Sequence, residues 1–159
     1  MTTETTTPDT PVQIDGDKLM AFVVRAVGEV GSTLNAALVV MGDRLGYYRC
    51  LAGSGPITAA ELAERTGTSE HYAREWLHAQ AAGGIVEYAP ASGRFTLPPE
   101  HAVALSDESS PAFLPGLFQL ALGTMHHAPQ TIEAARSGAG VGWHEHNADV
   151  HEGLSLIHI

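Results

Sequence analysis

Residues 58–84 contain the signals that most constrain the fold, because they mark where two short helices begin and end. Thr58 and Glu61 form a T-x-x-E capping box, in which a hydroxyl and a carboxylate bind free amide groups at a helix start. Gly67 suits the left-handed position that ends such a helix. Ser69 is a favourable cap for the next helix. Two short helices joined by a tight turn with glycine predict a helix-turn-helix.

The second of these helices ends at a glycine pair, Gly83-Gly84, and has an apolar face. The residues predicted to point inward are Tyr72, Ala73, Trp76, Leu77 and Gln80. Apolar runs then predict a β-hairpin over residues 85–97, with a turn rich in Pro, Ser and Gly. Its strands are expected at Ile85, Val86 and Tyr88, and at Arg94 to Leu97. The predicted fold class is mainly α: a helical dimerisation segment plus a winged helix-turn-helix with a short β-hairpin wing.

Two apolar series at helical spacing precede the helix-turn-helix. They cover residues 19–30 and 34–45 with Gly31 between them, so two helices are predicted. Val39 and Val40 fall outside a narrow stripe in the second series. Helices with so wide an apolar arc are buried on more than one side, either in a core or against a partner chain, and the sequence leaves both readings open. No stretch reaches roughly eighteen uninterrupted apolar residues, so no membrane-spanning helix is expected.

The remaining segments are assigned from composition and turn residues. Residues 1–16 have no signal-peptide pattern and are expected to be a disordered Thr/Pro-rich tail. Residues 99–107 predict one or two helical turns, and residues 111–136 a mostly helical segment. From residue 137 onward the chain is rich in Gly and His and predicts a loop. The folded N-terminal domain is therefore expected over residues 17–136.

The charge of the chain bears on nucleic-acid binding. Eight Lys and Arg stand against eighteen Asp and Glu, a formal net charge of −10, which repels phosphate backbones and anionic lipids. The predicted outward face of the second helix contains Glu70, His71, Arg74, Glu75 and His78. The wing adds only Arg94, and the single lysine, Lys18, lies far upstream. The fold permits DNA binding, but too few cations share one surface to support it.

Two features match functional patterns in part, and the single cysteine matches none. The GAGVG loop, residues 138–142, fits a cofactor-binding glycine pattern, but such a loop works only between a strand and a helix, and a predicted helix precedes it here. His144 and His146 could ligate a transition metal, but they lie in a loop without a rigid support. Cys50, the single cysteine, excludes an intrachain disulfide and fits a cytoplasmic location. No catalytic, cofactor-binding or metal-binding residue is therefore expected in this chain.

The segments LAERTGTSEHYAREWLHAQAAGGIVEY and GRFTLPPEHAVALSD, with the apolar helices before them, resemble the N-terminal domain of bacterial class I methyltransferases. The resemblance implies an enzyme that uses S-adenosylmethionine (SAM) through a Rossmann-like domain placed after the winged helix. It also implies that the N-terminal domain forms a homodimer and covers the pocket of a small-molecule acceptor. The downstream domain of similar enzymes begins with a D-x-G-x-G-x-G motif, which is absent from this sequence. SAM is therefore implied only for a longer parent protein.

The C-terminal residues divide into two segments with different interpretations. Residues 137–153 resemble the linker that leads to the catalytic domain in such enzymes. The closing peptide LSLIHI, residues 154–159, is the translation of the end of a transposon-based sequencing adapter, so we expect it to be an artefact appended to a truncated gene. The expected protein is an N-terminal methyltransferase fragment. The alternative is a winged-helix DNA-binding transcriptional regulator.

Four side chains in the segment after the wing are candidates for lining the acceptor pocket of the parent enzyme. They are Phe113, Phe118, Met125 and His126. Apolar residues at helical spacing more often pack in a core than contact a ligand, so ordinary helix packing is the alternative interpretation.

Overall fold

The computed structural model describes residues 12–157, so most of the predicted Thr/Pro-rich tail, residues 1–11, lies outside the described residues. The described part is mainly helical, as predicted. In chain order its elements are α1 (Gly16–Arg44), α2 (Tyr47–Leu51), α3 (Ala59–Thr66), α4 (Glu70–Ala82), β1 (Glu87–Ala89), β2 (Arg94–Thr96), α5 (Pro99–Ser106), α6 (Pro115–His126), α7 (Ala128–Ser137), a 3₁₀ turn (Trp143–Glu145) and α8 (Ala148–Ser155). The chain divides into two units, one ending at Gly31 and the other beginning at Ser32.

Helix α1 is one continuous helix of 29 residues, which corrects the prediction of two helices separated by Gly31. A glycine inside a helix costs about 1 kcal/mol relative to alanine, so it weakens a helix without necessarily breaking it. Apart from its chain neighbours and the helix's own backbone, nothing lies within 4 Å of the position that a Cβ would occupy at Gly28 or at Gly31. The helix continues through both glycines.

The first unit contains the described residues 12–31, and its large apolar side chains are exposed. Phe22 is 58% exposed and Val27 is 65% exposed. The whole of α1 is long and apolar enough to cross a membrane by length and composition alone, which the criterion of an uninterrupted apolar run did not detect. Core helices of soluble proteins and signal sequences pass the same test, so it is a weak indication. The exposed apolar surface is the property of this unit that requires an explanation.

In the second unit, the last turns of α1 contribute to the core through a face that differs from the predicted stripe. Val39 is fully buried and Val40 is 8% exposed, whereas Leu34 is 68% exposed. Gly42 explains the choice of face, because a Cβ there would lie 2.3 Å from Cζ2 of Trp76. The indole ring occupies the space that a larger side chain would fill. Close packing against an aromatic ring, rather than the width of the apolar arc, therefore orients this end of the helix.

The ends of the two helix-turn-helix elements follow the predicted signals. Thr58 Oγ1 accepts a hydrogen bond from the Glu61 N–H at 3.2 Å, and the Thr58 N–H donates to Glu61 Oε2 at 2.7 Å, so the capping box is complete. Gly67 has a φ of 66° and ends α3 in the left-handed conformation, as predicted. Ser69 precedes α4 as predicted, but its side chain makes no capping hydrogen bond. The local signals therefore locate both helices, although the side-chain cap expected from Ser69 is not made.

The core of the winged helix is built around a single indole ring. Trp76 is 2% exposed and contacts the rings of Tyr47 and Tyr48 edge to face, with ring centroids 4.8 and 5.2 Å away. Its Nε1–H donates to the Leu38 carbonyl oxygen at 2.8 Å. A buried tryptophan needs such an acceptor, because an unpaired indole N–H would be costly. This contact also fixes the end of α1 within the second unit to α4.

A buried polar chain lies beside the indole. The Tyr48 hydroxyl donates to Gln80 Oε1 at 2.6 Å, and Gln80 Nε2 donates to Asn35 Oδ1 at 2.9 Å. Burial raises the pKa of Tyr48 above its ordinary value, which keeps the hydroxyl protonated as a donor. The predicted inward face of α4 is confirmed at four positions, but Tyr72 is 64% exposed and does not belong to it. Each polar atom named here has a partner, so the chain can be buried at little cost.

The wing is a two-stranded antiparallel hairpin, as predicted. Tyr88 pairs with Phe95 across it, and their rings stack at 4.7 Å. Strand β1 begins at Glu87, so the first predicted strand started two residues too early, and Val86 is a buried core residue instead. Phe95 also exchanges backbone hydrogen bonds with Ile57, at 2.8 and 2.9 Å. This third short segment fastens the wing to the residues that precede α3.

The C-terminal part contains a helix where a loop was predicted. Residues 138–142 are irregular as expected, but α8 forms at residues 148–155. Helix α8 packs on α6 through glycines: a Cβ at Gly153 would lie 2.7 Å from the Gly116 carbonyl oxygen and 2.6 Å from the Leu120 nitrogen. Two backbones this close exclude a side chain larger than hydrogen at the crossing. Gly153 therefore reflects close helix packing, whereas the glycines of residues 138–142 lie in an irregular segment.

Candidate functional site

The outer face of α4 is the surface that would contact DNA in a winged helix. All five residues of the predicted outward face are exposed, and they are Glu70, His71, Arg74, Glu75 and His78. Arg74 forms an ion pair with Glu70 one turn away on the same helix. The arginine of this face is therefore already neutralised by a carboxylate, and a DNA phosphate would have to compete for it.

The arginine of the wing is held in the same way. Arg94 donates from Nη1 to Glu61 Oε2 at 2.9 Å and from Nη2 to Glu61 Oε1 at 3.2 Å, and Nη1 also reaches the Pro56 carbonyl oxygen at 2.9 Å. The Thr58 amide and the Arg94 guanidinium hold the pKa of Glu61 below its usual range. A bidentate arginine–carboxylate pair fixes both partners geometrically. Arg94 thus joins the wing to the capping box of α3 and is not presented to solvent as an unpaired cation.

A groove of about 380 Å³ lies between α3, α4 and the wing. Its lining includes Thr58, Glu70, Arg74, His78, Tyr88 and Phe95. The His78 ring contacts the rings of Tyr88 and Phe95 edge to face, at 5.2 Å in both cases. The groove is aromatic and holds its opposite charges in one ion pair. It lacks the cluster of cations that phosphate binding requires.

The four candidate pocket residues occupy different environments. Phe113 is 6% exposed in the turn before α6, Phe118 is half-buried against the winged-helix core, and Met125 is 45% exposed on α6. His126 is exposed, and its Nδ1 lies 3.0 Å from Nδ2 of Asn147. Phe118 lines an apolar cavity of about 250 Å³, and the other three are not among the residues that line it.

This apolar cavity lies between the turn after α4, helix α5 and the start of α6. Its walls are formed by Gly84, Ile85, His101, Ala104, Leu105, Leu114 and Phe118. The imidazole of His101 is the polar side chain in this lining, and its Nδ1 lies 2.8 Å from the Ile85 carbonyl oxygen. Sequence reasoning placed His101 on a short helix and gave it no role. The periodicity of α5 carries no signal for a contact with a carbonyl sixteen residues earlier in the chain.

Histidines cluster where α6 meets α8. His127 Nε2 accepts a hydrogen bond from the Asn147 N–H at 2.8 Å, and the His127 and His146 rings lie 4.8 Å apart. The Nδ1 atoms of both rings are buried without a hydrogen-bond partner. Within residues 12–157, no group of three or more His, Cys, Asp or Glu side chains has an arrangement that could hold a metal ion. These histidines position Asn147, whose side chain caps α8 by accepting from the Val150 N–H at 3.2 Å.

A network of side chains around Asp149 and Glu152 connects α8 to α6 and to the end of α1. Asp149 Oδ1 on α8 accepts from Arg44 Nη2 at 2.7 Å and from Gln119 Nε2 at 3.0 Å. Gln119 Nε2 also donates to Glu152 Oε2 at 2.9 Å. The Gln119 amide, together with the Arg44 guanidinium, holds the pKa of Asp149 below its usual range. The network fixes α8 to α6 and to the end of α1 within the second unit.

The helix-turn-helix, its wing and the preceding helix define a protein with a winged helix-turn-helix domain. Residues 33–107 match the Rv2258c-like winged HTH domain. No curated protein matches the chain. Solved structures similar to it are the N-terminal regions of methyltransferases, which agrees with the resemblance inferred from the sequence.

Three of these structures illustrate the similarity. The mitomycin 7-O-methyltransferase MmcR is 23% identical, with a TM-score of 0.63, over 89% of this chain and 45% of its own. CalO1, a methyltransferase in calicheamicin biosynthesis solved with SAH bound, is 26% identical, with a TM-score of 0.58, over 91% and 46%. RosA from Streptomyces davawensis, an N,N-8-amino-8-demethyl-D-riboflavin dimethyltransferase, is 17% identical, with a TM-score of 0.55, over 91% and 43%. The chain spans less than half the length of each of these enzymes.

Proposed function

We propose that this chain is the N-terminal winged-helix region of a SAM-dependent methyltransferase, in which it forms a homodimer and covers the pocket of a small-molecule acceptor. The observation that carries the proposal is the pattern of coverage: 89% of this chain aligns with only 45% of MmcR, which is named as a methyltransferase. In this proposal SAM binds outside the chain, and the parent enzyme is cytoplasmic. Residues 17–136 form the N-terminal domain, residues 137–153 connect it to the catalytic domain, and residues 154–159 are not native.

The exposed apolar side chains of α1 support the homodimer. They are Leu19, Met20, Phe22, Val23, Val24, Val27 and Val30, and each is at least 41% exposed. Contiguous apolar surface of this extent in a soluble protein usually marks an interaction site. A second copy of the same helix supplies a complementary apolar surface without requiring any other partner. Of the two readings that the sequence left open for residues 19–30, the proposal adopts burial against a partner chain.

The homodimer is tested by light scattering coupled to size-exclusion chromatography. The chain should elute as a dimer, and Val27→Asp should shift it to the monomer because a carboxylate in an apolar interface is strongly unfavourable. The control is Ile132→Asp on α7, where the side chain is 53% exposed and no interface is proposed. A monomeric wild-type chain at high concentration, or equal disruption by both substitutions, would contradict the homodimer.

The methyltransferase assignment is tested at the source locus and by calorimetry. We expect the reading frame beyond the codon for Gly153 to continue into a strand and an acidic glycine-rich motif. The longer product should bind SAM in isothermal titration, and the present chain should not. A natural stop codon directly after LSLIHI, or tight SAM binding by the present chain, would overturn the assignment.

The alternative function, a DNA-binding regulator, is favoured by the winged HTH fold itself. The ion pairs Arg74–Glu70 and Arg94–Glu61 argue against it, because they engage the arginines of the recognition helix and the wing. A mobility-shift assay at low salt with micromolar protein should show no shift of duplex DNA. A sequence-specific shift that weakens with added salt would establish the regulator instead.

A further inference from the structure

We propose that the cavity between α5 and α6 binds a single-ring aromatic molecule with one hydroxyl donor, such as a phenol, through the Nε2 atom of His101. The proposal concerns residues of the second unit alone. It does not depend on the methyltransferase assignment, which rests on the similarity to other proteins and not on this cavity.

The chemistry of the lining selects an apolar ring. Apart from the His101 imidazole, the side chains that line the cavity are hydrocarbon, including those of Ile85, Leu105, Leu114 and Phe118. Phe118 offers a ring surface for an aromatic contact, which contributes more than burial of the same area alone. A charged ligand would lose its hydration without gaining an opposite charge in this lining. The occupant is therefore apolar over most of its surface.

The size of the cavity is sufficient for one substituted ring. Its volume is about 250 Å³, below the roughly 300–1,000 Å³ of sites for drug-sized molecules. An engineered apolar cavity of about 150 Å³ accommodates benzene. A benzene ring with one substituent therefore fits in this volume.

The hydrogen bond that His101 makes within the protein determines whether the ligand substituent must donate or accept a hydrogen bond. The Ile85 carbonyl oxygen is an acceptor only, and it lies 2.8 Å from His101 Nδ1, so Nδ1 carries the proton. In the neutral ring this leaves Nε2 as an acceptor. A ligand hydroxyl can donate to it, whereas an ether or a carbonyl group cannot. The fixed tautomer thus makes the cavity selective for a donor.

The backbone keeps the walls in place. The Ile85 N–H donates to the Gln80 carbonyl oxygen at 2.9 Å, which fixes the carbonyl that orients His101. The Leu114 N–H donates to the Ala104 carbonyl oxygen at 2.9 Å and ties the start of α6 to α5. The site is therefore formed before a ligand arrives, and binding requires little ordering of the protein.

The experiment uses the intact chain with 4-fluorophenol and fluorobenzene as probes, observed by fluorine NMR. We expect saturable binding of 4-fluorophenol with a Kd on the order of 1 mM and at least tenfold weaker binding of fluorobenzene. His101→Asn keeps an N–H near the position of Nδ1, so it can still donate to Ile85, but it lacks the Nε2 acceptor. It should reduce the affinity for 4-fluorophenol about tenfold and leave that for fluorobenzene unchanged.

Two further variants separate the cavity from other surfaces. Ala104→Leu fills the cavity and should abolish binding of both probes, whereas Val103→Leu on the exposed side of α5 should change neither. Circular dichroism verifies that each variant is folded. Absence of saturable 4-fluorophenol binding to the folded wild-type chain, or undiminished binding to folded Ala104→Leu, would overturn the proposal. Equal affinities of the wild type for the two probes would refute the role of His101.

Discussion

The winged helix and the α6–α8 pair are packed by opposite means. The winged helix fills its core with large rings, with Trp76 contacting Tyr47 and Tyr48 edge to face. The α6–α8 pair has glycines at its contact, and a Cβ at Gly123 or Gly153 would come within 2.8 Å of backbone atoms of the facing helix. One region excludes water by side-chain volume, and the other by bringing two backbones together.

The difference explains which parts of the fold tolerate change. A ring core loses contacts when a side chain is shortened, and the cost depends on the cavity that remains. A glycine contact is disturbed by the smallest addition, because backbone atoms cannot move aside as the end of a flexible side chain can. The two regions should therefore respond in opposite ways to truncation and to enlargement.

The largest effect is expected for Trp76→Ala. The substitution removes the ring that Tyr47 and Tyr48 contact and deletes the donor to the Leu38 carbonyl oxygen, so the free energy of unfolding should fall by about 4 kcal/mol. The control is Trp143→Ala, which removes the same side chain where it is 59% exposed and should cost less than about 1 kcal/mol. Urea unfolding followed by circular dichroism measures both. Equal losses would contradict a core centred on Trp76.

The next largest effect is expected for Gly153→Ala in the second region. Its Cβ would lie 2.6 Å from the Leu120 nitrogen, so α8 must move away from α6. We expect a loss of about 2 kcal/mol from this overpacking. Gly140→Ala adds the same methyl group where nothing lies within 4 Å and should be nearly neutral. Unchanged stability of Gly153→Ala in urea unfolding would show that the two helices are not in close contact.

Local signals at helix ends could be predicted from the sequence, whereas helix continuity and glycine packing could not. The Thr58–Glu61 capping box and Gly67 were predictable because each signal is local and specific to a helix end. The continuity of α1 through Gly31 was not, because a glycine in a helix is an energetic preference and not a stop. Helix α8 was missed because glycine packing leaves no apolar stripe to detect.

The candidate sites also combine features that the sequence predicts with features that depend on contacts between distant residues. The small number of cations on the recognition helix could be predicted from the sequence. The pairing of Arg94 with Glu61 could not, because these residues are 33 positions apart in the chain. Of the four predicted pocket residues, Phe118 lines the apolar cavity. His101 was missed because its partner, the Ile85 carbonyl, lies outside its helix. Contacts that depend on chain topology leave no periodic signal.

A smaller effect is expected for Asn147→Ala at the start of α8. The side chain accepts from the Val150 N–H and its Nδ2 contacts His126 Nδ1, so its loss should cost about 1 kcal/mol. Asn147→Asp keeps the capping acceptor and should retain most of the stability. If hydrogen exchange at Val150 were equally slow in the wild type and in Asn147→Ala, the side chain would not be holding α8.

The smallest effect concerns the acid stability of the same helix. The Gln119 amide and the Arg44 guanidinium hold the folded-state pKa of Asp149 below its usual range, so the ionised carboxylate stabilises the fold above its unfolded pKa of about 3.9. This contribution is lost as the pH falls through the folded-state pKa. Asp149→Asn should therefore lose less unfolding free energy than the wild type between pH 5 and 2, whereas Glu133→Gln, at an exposed carboxylate on α7, should follow the wild type. Parallel acid losses in Asp149→Asn and the wild type would show that the charge of Asp149, which contacts Gln119 on α6 and Arg44 on α1, adds nothing to the glycine contact between α6 and α8.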